Sequence, residues 1–244
     1  MALPPDTDDR IARHWAERLG CSPTASRESG VTVVAGSTDD TVRLIRRGDA
    51  LVVAAPEQVR TSIETHREAL ADADLPATAA VERALADRGA SVDAVYGPYG
   101  LGYVDEPSFS PVDSEARLLV GADEPAFERL QERVPDDEWA RASPVFRPGQ
   151  TAGLFRDGDL VAVATLTHLP FPDVGVVVDP EQRGRGYGRA VVSLITATAF
   201  DIDTGAVVRY RTRESAAASV ALANSLGYER WARSAVLVLD QGSP

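Results

Sequence analysis

Val174-Gly175-Val176-Val177-Val178-Asp179-Pro180-Glu181-Gln182-Arg183-Gly184-Arg185-Gly186-Tyr187-Gly188-Arg189 decides how this 244-residue chain is read. An apolar, β-branched run ends at Pro180, a residue that cannot extend a hydrogen-bonded ladder. Glycines at 184, 186 and 188 then alternate with other residues, and from about Gly186 to Phe200 the apolar spacing becomes helical. The order is strand, Gly-rich loop, helix. Glycines let successive backbone N–H groups converge on one point, and a helix N-terminus adds positive potential there. Arg183, Arg185 and Arg189 bring cationic charge to that place. A pyrophosphate fits the arrangement.

Two familiar phosphate loops fail on composition. The nucleotide P-loop needs Gly-Lys-Ser/Thr, and all 25 basic residues of this chain are arginine. The dinucleotide fingerprint needs a third glycine where Arg189 stands, and its strand should open a parallel βαβ unit rather than follow hairpins. A turn serving only tight strand-to-helix packing is the remaining alternative, and it leaves the arginines and Pro180 without a purpose.

Outward from this segment, Thr151–Phe155 and Leu160–His168 read as strands. Arg156-Asp157-Gly158-Asp159 is a hairpin turn between them, and Pro170-Phe171-Pro172-Asp173 a second turn leading into the Val174–Asp179 strand. Upstream, Ala116–Val120 is a strand, Glu124–Arg133 a helix with Phe127 and Leu130 on one face, and Asp136–Ala140 a helical turn. Downstream come a strand at Ala206–Thr212, a helix from Ser215 to Leu226 stopped by Gly227, and strand-like Tyr228–Ala232 and Ser234–Leu239. The N-terminal half opens with an amphipathic helix over Asp8–Leu19. Short strands follow at Val31–Ala35, Val42–Arg46 and Leu51–Ala55, then a helical stretch from Glu57 to about Gly89 broken at Pro76. Tyr96 to Tyr103, rich in Gly and Pro, reads as irregular, and Pro107–Ser114 as a linker. The fold class is α/β (α+β): a mixed, mostly antiparallel sheet flanked by helices. Residues 113–244 form one domain, and residues 1–112 a smaller α/β region.

Charge narrows the partners. The 25 basic residues against 37 acidic give a net charge of −12, which argues against nucleic acid, whose binding draws on phosphate neutralisation, and against anionic membrane surfaces. Either a high-salt cytoplasm or codon bias accounts for abundant Asp and absent Lys. A single cysteine, Cys21, excludes internal disulfides and multi-cysteine zinc sites. His14, His66 and the acidic clusters show no ligand spacing, so no metal is expected. The opening MALPPDTDDR is acidic, and no apolar run approaches the roughly 18 residues of a membrane span; a cytoplasmic location is expected. The oligomeric state is not legible.

Arg183-Gly184-Arg185-Gly186-Tyr187-Gly188, preceded by a hydrophobic strand and Asp-Pro, resembles the acyl-CoA motif Arg/Gln-x-x-Gly-x-Gly/Ala of the GNAT superfamily of N-acetyltransferases. The element order across 116–240 fits as well, including the closing Leu226-Gly227-Tyr228. The N-terminal half carries no motif and is read as an added region, in one reading a degenerate second copy of the same fold. The resemblance implies acetyl-CoA as co-substrate, with the backbone amides from Arg183 to Arg189, those of Gly184, Arg185, Gly186, Tyr187 and Gly188 included, holding its pyrophosphate. It implies that the edge of Val176, Val177 and Val178 pairs with the pantetheine arm as an added strand does. The sheet of this family splays open beyond that strand, and the Val178 amide would lie near the thioester oxygen, where such a donor is worth about 3–4 kcal/mol.

The chain also departs from that pattern. The last helix of the family often carries an Asn near its start and a Tyr that protonates the leaving thiolate; here those positions are Ala216 and Ala223. Asn224 points about 100° away, and Ser215 or Ser219 offers at most a hydrogen bond to the coenzyme. Asp173 stands near the usual general base but one residue late, hence on the opposite strand face unless a bulge at Gly175 restores it. His168 is a second candidate, and Tyr96, Tyr99 and Tyr103 are candidates to line an acceptor pocket. The leading expectation is transfer of an acetyl group to a primary amine, by direct attack in a ternary complex. The alternatives are a non-catalytic acyl-CoA-binding or sensor module and a protein N-acetyltransferase.

Overall fold

The computed structural model describes residues 3–86, 88–167 and 171–240. The chain forms two compact units. One comprises residues 102–211 and 217–229, the other residues 4–101, 212–216 and 230 onward.

The N-terminal unit begins with α1 (Pro5–Leu19), in which Ile11, Trp15 and Leu19 are buried at helical spacing and Gly20 closes the helix in the left-handed region. Strands β1 (Gly30–Ala35), β2 (Thr41–Arg47) and β3 (Ala50–Ala55) follow. β2 and β3 form a hairpin across Gly48-Asp49, and β3 runs parallel to β1. The helical stretch divides into α2 (Glu57–Thr65), α3 (Arg67–Asp72) and α4 (Thr78–Ala86), with Pro76 in the last gap. Val59, Ile63, Leu70, Val81 and Leu85 pack on Leu44, Leu51 and Val53 to make the core.

Residues 91–105 form one long strand, β4 (Ser91–Asp105), where the Gly/Pro content suggested an irregular segment. The glycines serve proximity to neighbouring strands rather than turning. A Cβ on Gly97 would stand 2.8 Å from the Ser234 carbonyl oxygen, and one on Gly102 3.2 Å from that of Tyr210.

The second unit continues with β5 (Arg117–Leu118), α5 (Glu124–Arg133), α6 (Asp136–Ala142), β6 (Thr151–Arg156), β7 (Asp159–Thr167), β8 (Asp173–Val178), α7 (Tyr187–Ile202), β9 (Val207–Arg213) and α8 (Ala217–Ser225). The closing strand-like pair is one strand, β10 (Glu229–Asp240), and it pairs antiparallel with β2. In the second unit the strand order is β4-β9-β8-β7-β6-β5, antiparallel from β5 to β8. Side chains alternate along β8. Val174, Val176 and Val178 join the core formed with α7, and Val177 joins the opposite core of Phe127, Leu130 and Leu160 with α5. A strand with both faces covered reads as the near-continuous apolar run seen here. Among the described residues no helix is long and apolar enough to cross a membrane.

Candidate active site

β8 meets β9 in parallel at one register position, Asp173 opposite Arg209, where the Arg209 amide donates to the Pro172 carbonyl at 2.7 Å. Because ladder bonds alternate along a strand, residues 173, 175, 177 and 179 turn their backbone groups toward β7, as the 2.9 Å bond from Asp179 N to Val161 O shows. Positions 174, 176 and 178 therefore turn theirs toward β9. Beyond Val174, β9 is not paired there among the described residues. The N–H and C=O groups of Val176 and Val178 face an opening between two strands. One of them, the Val178 carbonyl, accepts a 3.4 Å bond from Arg183 Nε.

The loop after β8 is fixed before it reaches the glycines. The buried Asp179 carboxylate accepts from the Glu181 amide at 3.0 Å and from Arg133 Nε of α5 at 2.7 Å. This anchor was not singled out from sequence, although an Asp directly before Pro is a turn-starting signal. Gly184 and Gly186 then take left-handed φ of 77° and 81°, and a Cβ at either would meet nothing within 4 Å. Together they form an open cradle at the N-terminus of the 16-residue α7, with its first amides unbonded within the helix. Gly188 has the opposite role. Its Cβ would lie 3.2 Å from both Leu222 Cδ1 and Val178 Cγ2, so α7, α8 and β8 come together at this point.

The three arginines are disposed differently. Among the described residues Arg185 makes no hydrogen bond or ion pair, and Arg189 reaches the Ser225 carbonyl at 3.3 Å. Arg183 pairs with Glu138 of α6. α6 itself lies so close to β8 that a Cβ on Gly175 would collide with the Ala142 carbonyl oxygen, and Gly175 keeps its register opposite Thr165. No shift of register occurs at Gly175, so Asp173 stays on the face opposite Val174.

Asp173 marks the narrow end of the opening. Its Oδ2 accepts from Arg209 Nη2 at 3.0 Å, with the two side chains 16% and 11% exposed. Burial opposes the charge on Arg209, but the hydrogen bond and attraction to Asp173 outweigh it and hold the guanidinium above the ordinary arginine value. Among the described residues, Asp173 Oδ1 and Arg209 Nε are buried with no hydrogen-bond partner. The fully buried Tyr103 adds a side-chain hydrogen bond to Arg209 and packs edge-on against Phe171, with centroids 5.6 Å apart. Tyr96 and Tyr99 belong to the other compact unit. His168 lies outside the described residues. Among those described, no three His, Cys, Asp or Glu side chains gather as a metal site requires.

A strand whose edge is left open at its C-terminal half leads into an anchored glycine cradle on a helix N-terminus, the arrangement expected from the resemblance of Arg183–Gly188 to the acyl-CoA motif. The Acetyltransferase (GNAT) family matches residues 116–228. Residues 116–228 are a GNAT acetyltransferase domain. A GCN5-related N-acetyltransferase from Kribbella flavida shares the fold over 99% of this chain and 98% of its own, at 22% identity and a TM-score of 0.53. A GNAT-family protein from Novosphingobium aromaticivorans aligns over 64% of this chain and 69% of its own, at 26% identity and a TM-score of 0.47. A protein from Salmonella typhimurium, solved with its cofactor acetyl-CoA, aligns over 53% and 95% at 17% identity and a TM-score of 0.38. Among the curated proteins, none matches the sequence. The GNAT domain makes the chain an acyltransferase, and acetyl transfer is its general chemistry.

Proposed function

We propose that this protein transfers the acetyl group of acetyl-CoA to a primary amine by direct attack, with both substrates bound together. The observation that carries the reading is the open β8 edge running into the Gly184–Gly186 cradle. The backbone amides from Arg183 to Arg189 hold the pyrophosphate. Arg185, free among the described residues, adds the charge. Val176 and Val178 offer amide and carbonyl groups to the pantetheine arm, as one strand does to another. The bound thioester supplies the acyl carbon and a thiolate leaving group. Of the two open amides, Val178 is nearer the cradle and Val176 one ladder step deeper, so these are the donors that bracket the developing oxyanion.

Asp173 is the proposed proton acceptor for the amine. Arg209 fixes one carboxylate oxygen, and among the described residues Oδ1 has no partner. A lysine-like amine, of pKa about 10.4, needs such help more than an α-amine near 8. The acceptor, a small molecule or a protein amine, binds on this side, in a protein that acts in the cytoplasm. No covalent enzyme intermediate is required, because Cys21 lies in the other compact unit.

Titration calorimetry with acetyl-CoA tests the reading directly. Saturable one-to-one binding is the expected result, and a folded protein that takes up no acetyl-CoA would refute it. Ala223 favours a second reading, a coenzyme-binding module without catalysis. Tight acetyl-CoA binding without CoA release above background, across a panel of primary amines, would select that one.

A further inference from the structure

The acyl-CoA reading leaves the departing sulfur without an evident proton source, since Ala223 stands where a hydroxyl is wanted. The structure places two hydroxyls nearby. Tyr210 is the first β9 residue past the Asp173–Arg209 bridge to β8, and its side chain lies on the α7 side, within the core that also holds Val174 and Ala223. Its Oη is 2.9 Å from Ser219 Oγ on α8. Ser219 precedes Leu222 and Ala223 by three and four residues, so all three share one face of α8. Leu222 on that face meets the first turn of α7 beside Val178, and Ser225, one turn further on, accepts from Arg189. α8 thus runs from the narrow end of the opening, at Ser219, to the phosphate cradle, at Ser225. A coenzyme with its pyrophosphate in the cradle and its arm along β8 brings its sulfur to the Ser219 end.

Resting on that reading, we infer that the Ser219–Tyr210 hydroxyl pair protonates the coenzyme sulfur as it leaves. As the carbon–sulfur bond breaks, its electron pair goes to sulfur. Ser219 Oγ, the more exposed member, gives sulfur its proton and takes the Tyr210 Oη proton in exchange. The proton lost by the amine passes through Asp173 to solvent, and solvent returns one to Tyr210 by way of Ser219, so the enzyme ends as it began. Ser219 is the catalytic residue; Tyr210, acting through it, is a positioning residue. Burial raises the Tyr210 phenol above its ordinary value, only partly countered by the bond to Ser219, which keeps the proton in place at neutral pH.

The same pair stabilises a bound thiolate, which gives a test without turnover. CoA bound to the wild-type protein, to Ser219→Ala and to Tyr210→Phe is titrated by its thiolate ultraviolet absorbance, with CoA affinity measured alongside by calorimetry. The expected result is a thiol midpoint at least one pH unit lower in the wild type than in Ser219→Ala, Tyr210→Phe falling between, and calorimetric affinity at neutral pH changed less than threefold. Tyr210→Phe removes only the hydroxyl, so it guards against a folding defect in the other variant. Equal midpoints in three proteins that all bind CoA would overturn the inference and leave the acyl-CoA reading standing. Failure of the wild type to bind CoA would overturn both.

Discussion

Gly184, Gly186 and Gly175 are glycines for opposite reasons, and substitution separates them. At Gly186 the constraint is conformational: φ is 81° and the space around a Cβ is empty. Gly186→Ala therefore costs about 1 kcal/mol of strain, visible as a slightly lower thermal midpoint, with acetyl-CoA binding weakened only a few-fold. Gly186→Glu fills the cradle and sets a carboxylate against the phosphates, so calorimetry should find binding lost in a protein that still melts cooperatively. Undiminished binding by that variant would sink the assignment of the cradle. At Gly175 the constraint is contact with the Ala142 carbonyl, a backbone atom that cannot swing aside. Gly175→Ala should destabilise the fold by about 1–3 kcal/mol, the usual cost of overpacking, measured by urea unfolding. A neutral outcome would mean that α6 shifts freely on β8. The 184–188 glycines were legible because their spacing is a pattern; Gly175 was not, because its reason is a helix carbonyl more than thirty residues away in sequence. Asp173 shows the same limit. Its place on β8 was legible, its partner Arg209 was not, since nothing in one sequence says which arginine closes an ion pair across a parallel bridge.

Element boundaries followed periodicity wherever burial supplied it. α5, α7 and the three antiparallel strands β6 to β8 lie within a few residues of expectation, because each shows a period of 3.6 or an apolar run bounded by turn residues. β4 was misread, since Gly and Pro usually mark turns, and close approach to the next strand leaves the same signature. The tie that holds α1 was also invisible. Asp8 accepts from Trp231 Nε1 at 2.8 Å, from Arg47 at 2.6 Å and from Arg27 at 2.7 Å, joining α1 to β2 and β10 within the N-terminal unit. Burial alone would raise the Asp8 carboxyl, but hydrogen bonds from Arg27, Arg47 and Trp231 and the Arg47 charge pull it below the ordinary aspartate value. A depressed native pKa means that the unfolded state binds the proton more readily. The stabilisation is therefore complete above the unfolded value near 3.8 and is lost as pH falls through the lower native value. Asp8→Ala should cost about 2 kcal/mol at pH 7, as a lost hydrogen bond to charged partners does. The gap between wild type and variant should start to narrow in urea melts below about pH 3.8 and vanish once pH has passed the lower native value. A gap that persists in acid would show that Asp8 acts through packing and not through its charge.

The net charge of −12, with every cation an arginine, acts on the whole chain and not on any one element. Unlike charges meet locally, as where Arg233 pairs with Glu214 and Asp74 in the N-terminal unit and Arg117 with Asp123 in the other. Pairs with one exposed member, Arg233–Asp74 and Arg117–Asp123 among them, are worth about 0–1 kcal/mol each, and salt weakens them. The surplus carboxylates repel over longer distances, and salt weakens that repulsion more completely, because the screening length falls from about 10 Å at 0.1 M to about 3 Å at 1 M. The two effects have opposite signs. If the acidic surface is an adaptation to a saline cytoplasm, repulsion dominates, and the thermal midpoint should rise by roughly 4–8 °C between 0.1 M and 2 M KCl, about 2 kcal/mol for a chain of this size. Acetyl-CoA affinity should fall over the same range, since the proposed contact between arginines and phosphate would be screened as well. The coenzyme site would then work at a cost in binding that the fold recovers in stability. A midpoint that stays flat or drops in KCl would assign the missing lysines to codon usage, and the ion pairs, not the surplus charge, would set the stability of the molecule.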